Sequence, residues 1–311
     1  MRIAFHSGHL GVRGTDIAIY DYALYNMSLL ENDSIIITDK NADLTTLEKF
    51  KSKFKVFFYN DFSEIDNIIK KENVDAFYSI KAGYNDGKLA KNVKNLVHSV
   101  FMHNEPHGDV YAYVSEWLSD KMSNKNLPYV PHMINLPDHN HDYKEMLNLK
   151  GKTVIGWYGG DNFEISFARN AVIDIAKKRK DIVFMFMNST PFADESNILF
   201  FDNIFDMYTK VRFINTCDAM IHARLRGETF GLAIGEFSSK NKPIITYRNS
   251  IECNHNLILG NKGMYYSDYN ELYNILNNLD INTSNDYNCY KDYNPVKVME
   301  KFKKIFLDES V

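Results

Sequence analysis

Short apolar runs alternate with amphipathic stretches along the whole chain. Residues 2–6 form the first buried-strand pattern. Helical spacing follows over Asp16–Leu30, where Ile17, Tyr20, Ala23, Leu24, Met27 and Leu30 recur on one face and Thr15 is the expected N-cap. The pattern then predicts strands at Ser34–Thr38, Lys55–Tyr59 and Ala76–Ile80, with helices around Leu44–Lys51 and Ser63–Lys71 between them. Leu96–Met102 and Val110–Val114 read as further strands, and Glu116–Met122 as a helix capped by Ser115. A polar join lies near Leu136–Lys152. A second alternation follows, with strands at Thr153–Trp157, Ile182–Met187, Ala219–His222 and Pro243–Tyr247. Its helices are expected at Phe167–Lys178, near Asn203–Lys210, from Gly231 onward, and at Asp268–Asn278 and Val296–Phe306. Strand and helix alternating at this pitch predict two α/β halves, each a parallel sheet covered on both faces.

Composition narrows the class without naming a reaction. The 311 residues suffice for two domains, with 45% hydrophobic residues, 24% charged and a formal net charge of −4. That balance lacks the concentrated basic surface a nucleic-acid partner needs. No apolar run reaches membrane-spanning length, and the start turns polar and glycine-rich too soon for a secretory signal. Cys217, Cys253 and Cys289 have no metal-ligand spacing, and their odd number does not suggest a disulfide framework, so a reducing, cytoplasmic setting is expected.

The most informative segment is Ala223-Arg-Leu-Arg-Gly-Glu-Thr-Phe-Gly-Leu-Ala-Ile-Gly-Glu236. Glu228 and Glu236 bracket a small-residue stretch that reads as a loop entering a helix. Gly231 permits close backbone approach to a ligand, and the free N–H groups around Phe230, Gly231 and Leu232 would form an anion site at the positive end of the helix dipole. Glu236 would lie roughly 7 Å further along the axis at 1.5 Å per residue. The segment resembles the E-x7-E signature of retaining GT-B glycosyltransferases, in particular glycosyltransferase family four. The resemblance implies two Rossmann-like domains whose parallel sheets face an interdomain cleft. Residues 1–148 would form the acceptor domain and 149–290 the nucleotide-sugar donor domain, with a C-terminal helix within about 291–311 packing back on the first.

Other segments fit the same family in order. The loop Gly8-x-x-Gly11-x-x-Gly14 follows the first strand and opens a helix, the setting of a phosphate or substrate cradle, with Arg13 available for charge-assisted hydrogen bonds. Lys81, in the loop after Ala76–Ile80, is expected on the same cleft. His103 follows an apolar strand, where open parallel sheets bind ligands, and the resemblance implies a first-domain histidine near the transferred sugar; His103 is preferred over His107. Gly159 and Gly160 lie in a loop that resembles the one opening the donor domain in that family. Relatives often carry Arg at the position of Trp157 and a Lys a few residues later, both on diphosphate. Here Trp157 stands instead, so the charge is expected from Arg224, Arg226 or Arg169, with Arg224 favoured.

The expected reaction moves a sugar from a nucleotide-diphosphate sugar to a glycan or glycolipid acceptor. Glu228 would orient the donor sugar and Glu236 hold the ribose, with no metal and no further cofactor. Related enzymes often meet lipid-linked acceptors, which leaves peripheral membrane contact open. The alternatives are a nucleotide-sugar epimerase of the same fold and a catalytically silent nucleotide-sugar or glycan-binding module; a phosphorylase would be far longer. No G-x-S-x-G elbow, P-loop or D-x-D metal motif occurs.

Overall fold

The computed structural model describes residues 1–159, 163–202 and 206–308. The chain divides into two units, one of Met1–Met133 with Tyr293–Val311 and one of Ile134–Asp292. It enters the second unit at Ile134, just ahead of the polar join expected near Leu136–Lys152 and of the domain boundary expected between residues 148 and 149.

The first unit contains β1 (Arg2–Ser7), α1 (Gly14–Ser28), β2 (Asp33–Asp39), α2 (Leu47–Lys51), β3 (Lys55–Tyr59), α3 (Ile65–Glu72), β4 (Ala76–Lys81), β5 (Lys94–Ser99), β6 (Val110–Tyr113) and α4 (Glu116–Ser123). Its strands form one sheet in the order β3-β2-β1-β4-β5-β6, and every pairing is parallel. Residues alternate between its faces. Ile3 and Phe5 join a core with Tyr22, Tyr78 and Leu96, while Ala4 joins Ile35, Ile37, Ile65 and Phe77 in another. Ser115 caps α4 as expected, accepting from Leu118 N–H. Thr15 does not cap α1. The helix starts two residues earlier than expected, with extended Arg13 at the N-cap and no side-chain cap bond.

The second unit contains β7 (Thr153–Trp157), α5 (Ser166–Lys178), β8 (Ile182–Met187), β9 (Ile198–Phe201), α6 (Met207–Thr216), β10 (Ala219–His222), β11 (Gly227–Glu228), α7 (Leu232–Ser239), β12 (Ile244–Tyr247), β13 (Glu252–Cys253), α8 (Asn254–Leu259), β14 (Met264–Tyr266) and α9 (Tyr269–Asn277). Six of its strands form a parallel sheet in the order β14-β12-β10-β7-β8-β9, and β11 pairs separately with β13. The helix expected near Asn203–Lys210 runs instead over Met207–Thr216. Asp206 starts it by accepting from Thr209 N–H. After Asp292 the chain rejoins the first unit through α10 (Pro295–Phe302), whose Val298, Met299 and Phe302 share the core of Ile3 and Phe5. Among the described residues no helix is long and apolar enough to cross a membrane.

These strand orders define where ligands can sit. In each sheet the chain lays down its first strand centrally, builds outward on one side and then returns to the other. The reversal falls between β1 and β4 in the first unit and between β7 and β10 in the second. Loops leaving the carboxyl ends of such a strand pair diverge and open a crevice, the usual ligand position in parallel α/β sheets.

Candidate functional site

In the first unit, the connection after β1 carries Gly11 and Arg13, while Lys81, expected in a loop, is the last residue of β4. Gly11 serves the chain's own packing: an added Cβ would meet Asp43 Oδ2 at 2.5 Å, and Gly11 N–H donates to Asp16 Oδ2 at 3.2 Å. Gly14 is the first residue of α1 rather than a loop residue, and Arg13 before it is exposed. Lys81 folds its own loop back, with Nζ 2.5 Å from Asp86 Oδ1 and 2.7 Å from the Lys88 carbonyl. Burial pushes His6 down to about 4, and the charges of Lys81 and Lys88 add to the effect. His103 is exposed on the loop after β5, its ring centroid 5.4 Å from that of Tyr84. His107 is buried, with Nδ1 2.7 Å from the Glu105 carbonyl.

In the second unit, the loops after β7 and β10 converge on the start of α7. Gly159 adopts φ +140°, and a Cβ there would lie 3.7 Å from Cβ of Ala233 in the first turn of α7. Gly160, the other glycine expected here, lies outside the described residues. The loop after β10 is braced on both sides. Leu225 N–H donates to Glu164 Oε1 at 2.9 Å, and Ser250 Oγ donates to the Arg224 carbonyl at 3.2 Å. Gly227 then enters the β11–β13 pair at φ +79°, where a Cβ would collide with the Glu252 carbonyl at 2.1 Å. Only glycine fits both that conformation and that approach.

This bracing delivers Glu228 to the end of β10. Its Oε1 accepts from Arg224 Nη1 at 2.9 Å and lies 3.4 Å from His222 Nε2. Oε2 has no hydrogen-bond partner among the described residues, and the side chain is 25% exposed. Burial alone would raise the Glu228 carboxyl. The hydrogen bond from His222 and the charge of Arg224 outweigh it and hold the group at about 2. The result is an anion with one oxygen secured and the other able to accept from a ligand hydroxyl.

The start of α7 lies beside it. Gly231 is the N-cap at φ +87°, ψ +62°, and no side chain caps the helix. Phe230 is buried, and its carbonyl accepts from the Tyr290 hydroxyl at 2.9 Å. Leu232 begins the helix, so its first N–H groups and the positive end of its dipole are available to an anion.

Several residues differ from their expected settings. Glu236 is only 4% exposed and pairs with Lys210 of α6, Nζ to Oε1 at 2.8 Å. Lys210 also lies over the Tyr158 ring, 5.3 Å from its centroid. Arg226 pairs with buried Glu252 at 2.8 Å, while Arg169 donates to the Phe163 carbonyl at 2.6 Å. Trp157 is buried in the floor of the site, against Phe163 and His222. Sequence reasoning passed over Lys210 and His222, though both leave a trace. Lys210 shares a helical face with apolar Phe213 and Ile214, and His222 is the polar terminus of an otherwise apolar strand.

No family model matches the chain, and no curated protein matches it by sequence. Solved structures do resemble it. HepE of Anabaena, crystallised with UDP and glucose, is 11% identical with a TM-score of 0.72, covering 97% of this chain and 98% of that one. A glycosyltransferase of Rickettsia africae is 15% identical with a TM-score of 0.68, covering 99% of each. A Listeria monocytogenes protein with the provisional name UDP-N-acetylglucosamine 2-epimerase is 13% identical with a TM-score of 0.63, covering 99% of this chain and 97% of that one. At these identities the likeness is one of fold: the chain has the two-sheet α/β architecture of the GT-B glycosyltransferases.

Proposed function

We propose that this chain is a retaining glycosyltransferase that moves a sugar from a nucleotide-diphosphate sugar to a glycan or glycolipid acceptor. The observation that carries the reading is Glu228, an ionised carboxylate with Oε1 held by Arg224 and His222 and with Oε2 unpaired among the described residues. It stands next to the uncapped start of α7, at the strand-order reversal of the second unit. In this reading Oε2 accepts a hydroxyl of the donor sugar. The departing diphosphate is met by the N–H groups of α7 and by Arg224, which stabilise the charge that develops as the glycosidic bond breaks. Helix dipole and guanidinium supply that charge without a metal. Glu236, bound to Lys210, faces the ribose, and the first unit's loops with Arg13 and His103 recognise the acceptor. The spacing of Glu228 and Glu236 and the likeness of fold to glycosyltransferases support the class.

The test is a thermal-shift panel of nucleotide-sugars, followed by product analysis with glycan acceptors. UDP-glucose should raise the unfolding midpoint by mass action. Glu228→Gln should lower transfer by roughly ten- to a hundredfold, the loss expected for a hydrogen bond to a charged group. Transfer unaffected by that substitution removes Glu228 from the reaction, and an epimerised donor formed without acceptor replaces the transferase reading.

A further inference from the structure

Glu228 is one end of a line of buried polar groups that the proposed reaction leaves unused. His222 closes β10, Thr246 stands beside it in register on β12, and His255 lies in the first turn of α8. His222 Nε2 lies 3.4 Å from Glu228 Oε1, and its Nδ1 lies 3.0 Å from Thr246 Oγ1. The same Oγ1 lies 3.2 Å from His255 Nε2. His222 is 1% exposed, and Thr246 and His255 are fully buried.

A hydrogen count constrains this line. Threonine has one proton to donate and lone pairs to accept with, and Thr246 faces a ring nitrogen on each side. Were both rings to donate to it, its own proton would have no acceptor among the described residues, so it donates to one ring and accepts from the other, and the two histidines are not set independently. Ionised Glu228 only accepts, which places a proton on His222 Nε2. Two arrangements remain. Either Thr246 donates to a singly protonated His222 and accepts from His255 Nε2–H, or His222 carries two protons and His255 carries its own on Nδ1.

Two observations favour the first. Arg224 already supplies positive charge to the same Oε1 at 2.9 Å, and a second cation buried beside it would lose its hydration for little gain. His255 Nδ1 is buried without a hydrogen-bond partner. A bare ring nitrogen tolerates that better than an N–H does. The main-chain carbonyl of Glu228 is close enough to act on His255, yet Nδ1 is in hydrogen-bonding geometry with no group among the described residues.

We propose that Thr246 and His255 are positioning residues for Glu228, forming a one-way hydrogen-bond chain from His255 Nε2–H through the Thr246 hydroxyl to His222 and on to Glu228 Oε1. The chain holds the His222 ring in one tautomer and one orientation, and through it keeps Oε1 occupied and Oε2 turned to the ligand. It rests on the reading of Glu228 as the sugar-orienting carboxylate, but its central claim is a proton position and needs no turnover.

The experiment is NMR of protein carrying nitrogen-labelled histidine, in wild type, Thr246→Val, Thr246→Ser and Glu228→Leu, paired with UDP-glucose affinity. Wild type should show both His222 and His255 as single Nε2–H tautomers. Thr246→Val, nearly isosteric, should release His255 into a mixture and weaken UDP-glucose about five- to tenfold, the effect of one lost hydrogen bond. Thr246→Ser should restore both. Glu228→Leu, which removes the acceptor of His222 Nε2–H, should disturb the His255 tautomer three partners away, which simple packing around Thr246 would not do. A wild-type His255 protonated on Nδ1, or a His255 indifferent to both Thr246→Val and Glu228→Leu, overturns the proposal. If UDP-glucose does not bind but the tautomers behave as stated, the functional reading fails and the chain of hydrogen bonds stands.

Discussion

Lys210→Met isolates the most consequential buried contact in the second unit. Its ammonium is 2.8 Å from Glu236 Oε1, with the two side chains only 8% and 6% exposed. Solvent therefore screens the pair little, and the discount applied to surface ion pairs does not hold. Removing one partner of a buried pair leaves the other charge without its counterion and costs about 3–5 kcal/mol. Lys210 also gives up its position over the Tyr158 ring. For a unit of this size each kcal/mol corresponds to about 2–4 °C, so the second unit's midpoint should fall by about 6–20 °C. Pairing Lys210→Met with Glu236→Leu should recover most of that loss, because an apolar pair of similar volume tolerates the same burial. Differential scanning calorimetry of wild type, both single variants and the double variant provides the assay and the coupling energy together. Donor affinity measured alongside separates stability from recognition: the double variant should be stable and still bind nucleotide-sugar poorly. Single variants with wild-type midpoints would refute the reasoning, since a buried ion pair cannot be halved at no cost.

Two glycines should respond differently to the same substitution. Gly227→Ala drives a Cβ to 2.1 Å from the Glu252 carbonyl, so it should disrupt the β11–β13 pair and displace Glu228. Gly231→Ala meets the Tyr290 hydroxyl at 3.3 Å and Cβ atoms of Glu228 and His255 at 3.4 Å, leaving mainly the left-handed backbone cost of about 1–2 kcal/mol. Equal denaturant midpoints for the two variants would contradict this. Acid should act on two groups with the same sign. The Glu228 carboxyl is lowered from 4.5 to about 2, so its stabilisation is full above 4.5 and lost as pH falls toward 2. Burial lowers His255 from 6.5 to about 3, so stability falls as pH drops below 6.5 and protons bind the unfolded chain first. His255→Gln should remove its own share of the slope from 6.5 downward, leaving that of buried His6, His98 and His132, and Glu228→Gln should change the slope only below 4.5. A Glu228→Gln profile parallel to wild type through that lower range would show that the carboxyl is not held ionised.

The sheets were legible because buried parallel strands are written as short apolar runs; all six residues of β8 are buried. Elements that depend on distant partners were not. β11 and β13 have two residues each, too few for any period, and exist through pairing across an intervening helix and strand. β9 and β14 went unread for a related reason. Each is short and lies at a sheet edge, where burial is incomplete and the apolar pattern is weak. The same division runs through the site. The motif segment announced Glu228, Gly231 and Glu236, because their spacing along the chain carries the information. His222, Thr246, His255 and Lys210 are brought to those carboxylates by sheet order and helix packing. Trp157 shows the limit of reasoning by position. The resemblance led to a phosphate-binding arginine being expected at this place, but the tryptophan side chain belongs to the floor, under Gly159 and against His222.

The core of the first unit is built from segments that precede and follow the second unit in sequence, with Ile3 and Phe5 packed among Val298, Met299, Phe302 and Phe306. The second unit is a single continuous stretch, Ile134–Asp292. On the ribosome, the later-made unit is therefore the one that can close first. The earlier-made sheet must wait, with its Ile3 and Phe5 face covered only by α1 and α2, until α10 emerges. Translation runs from one end to the other, but completion of the fold does not follow it, and the nascent first unit is the part with most need of a chaperone.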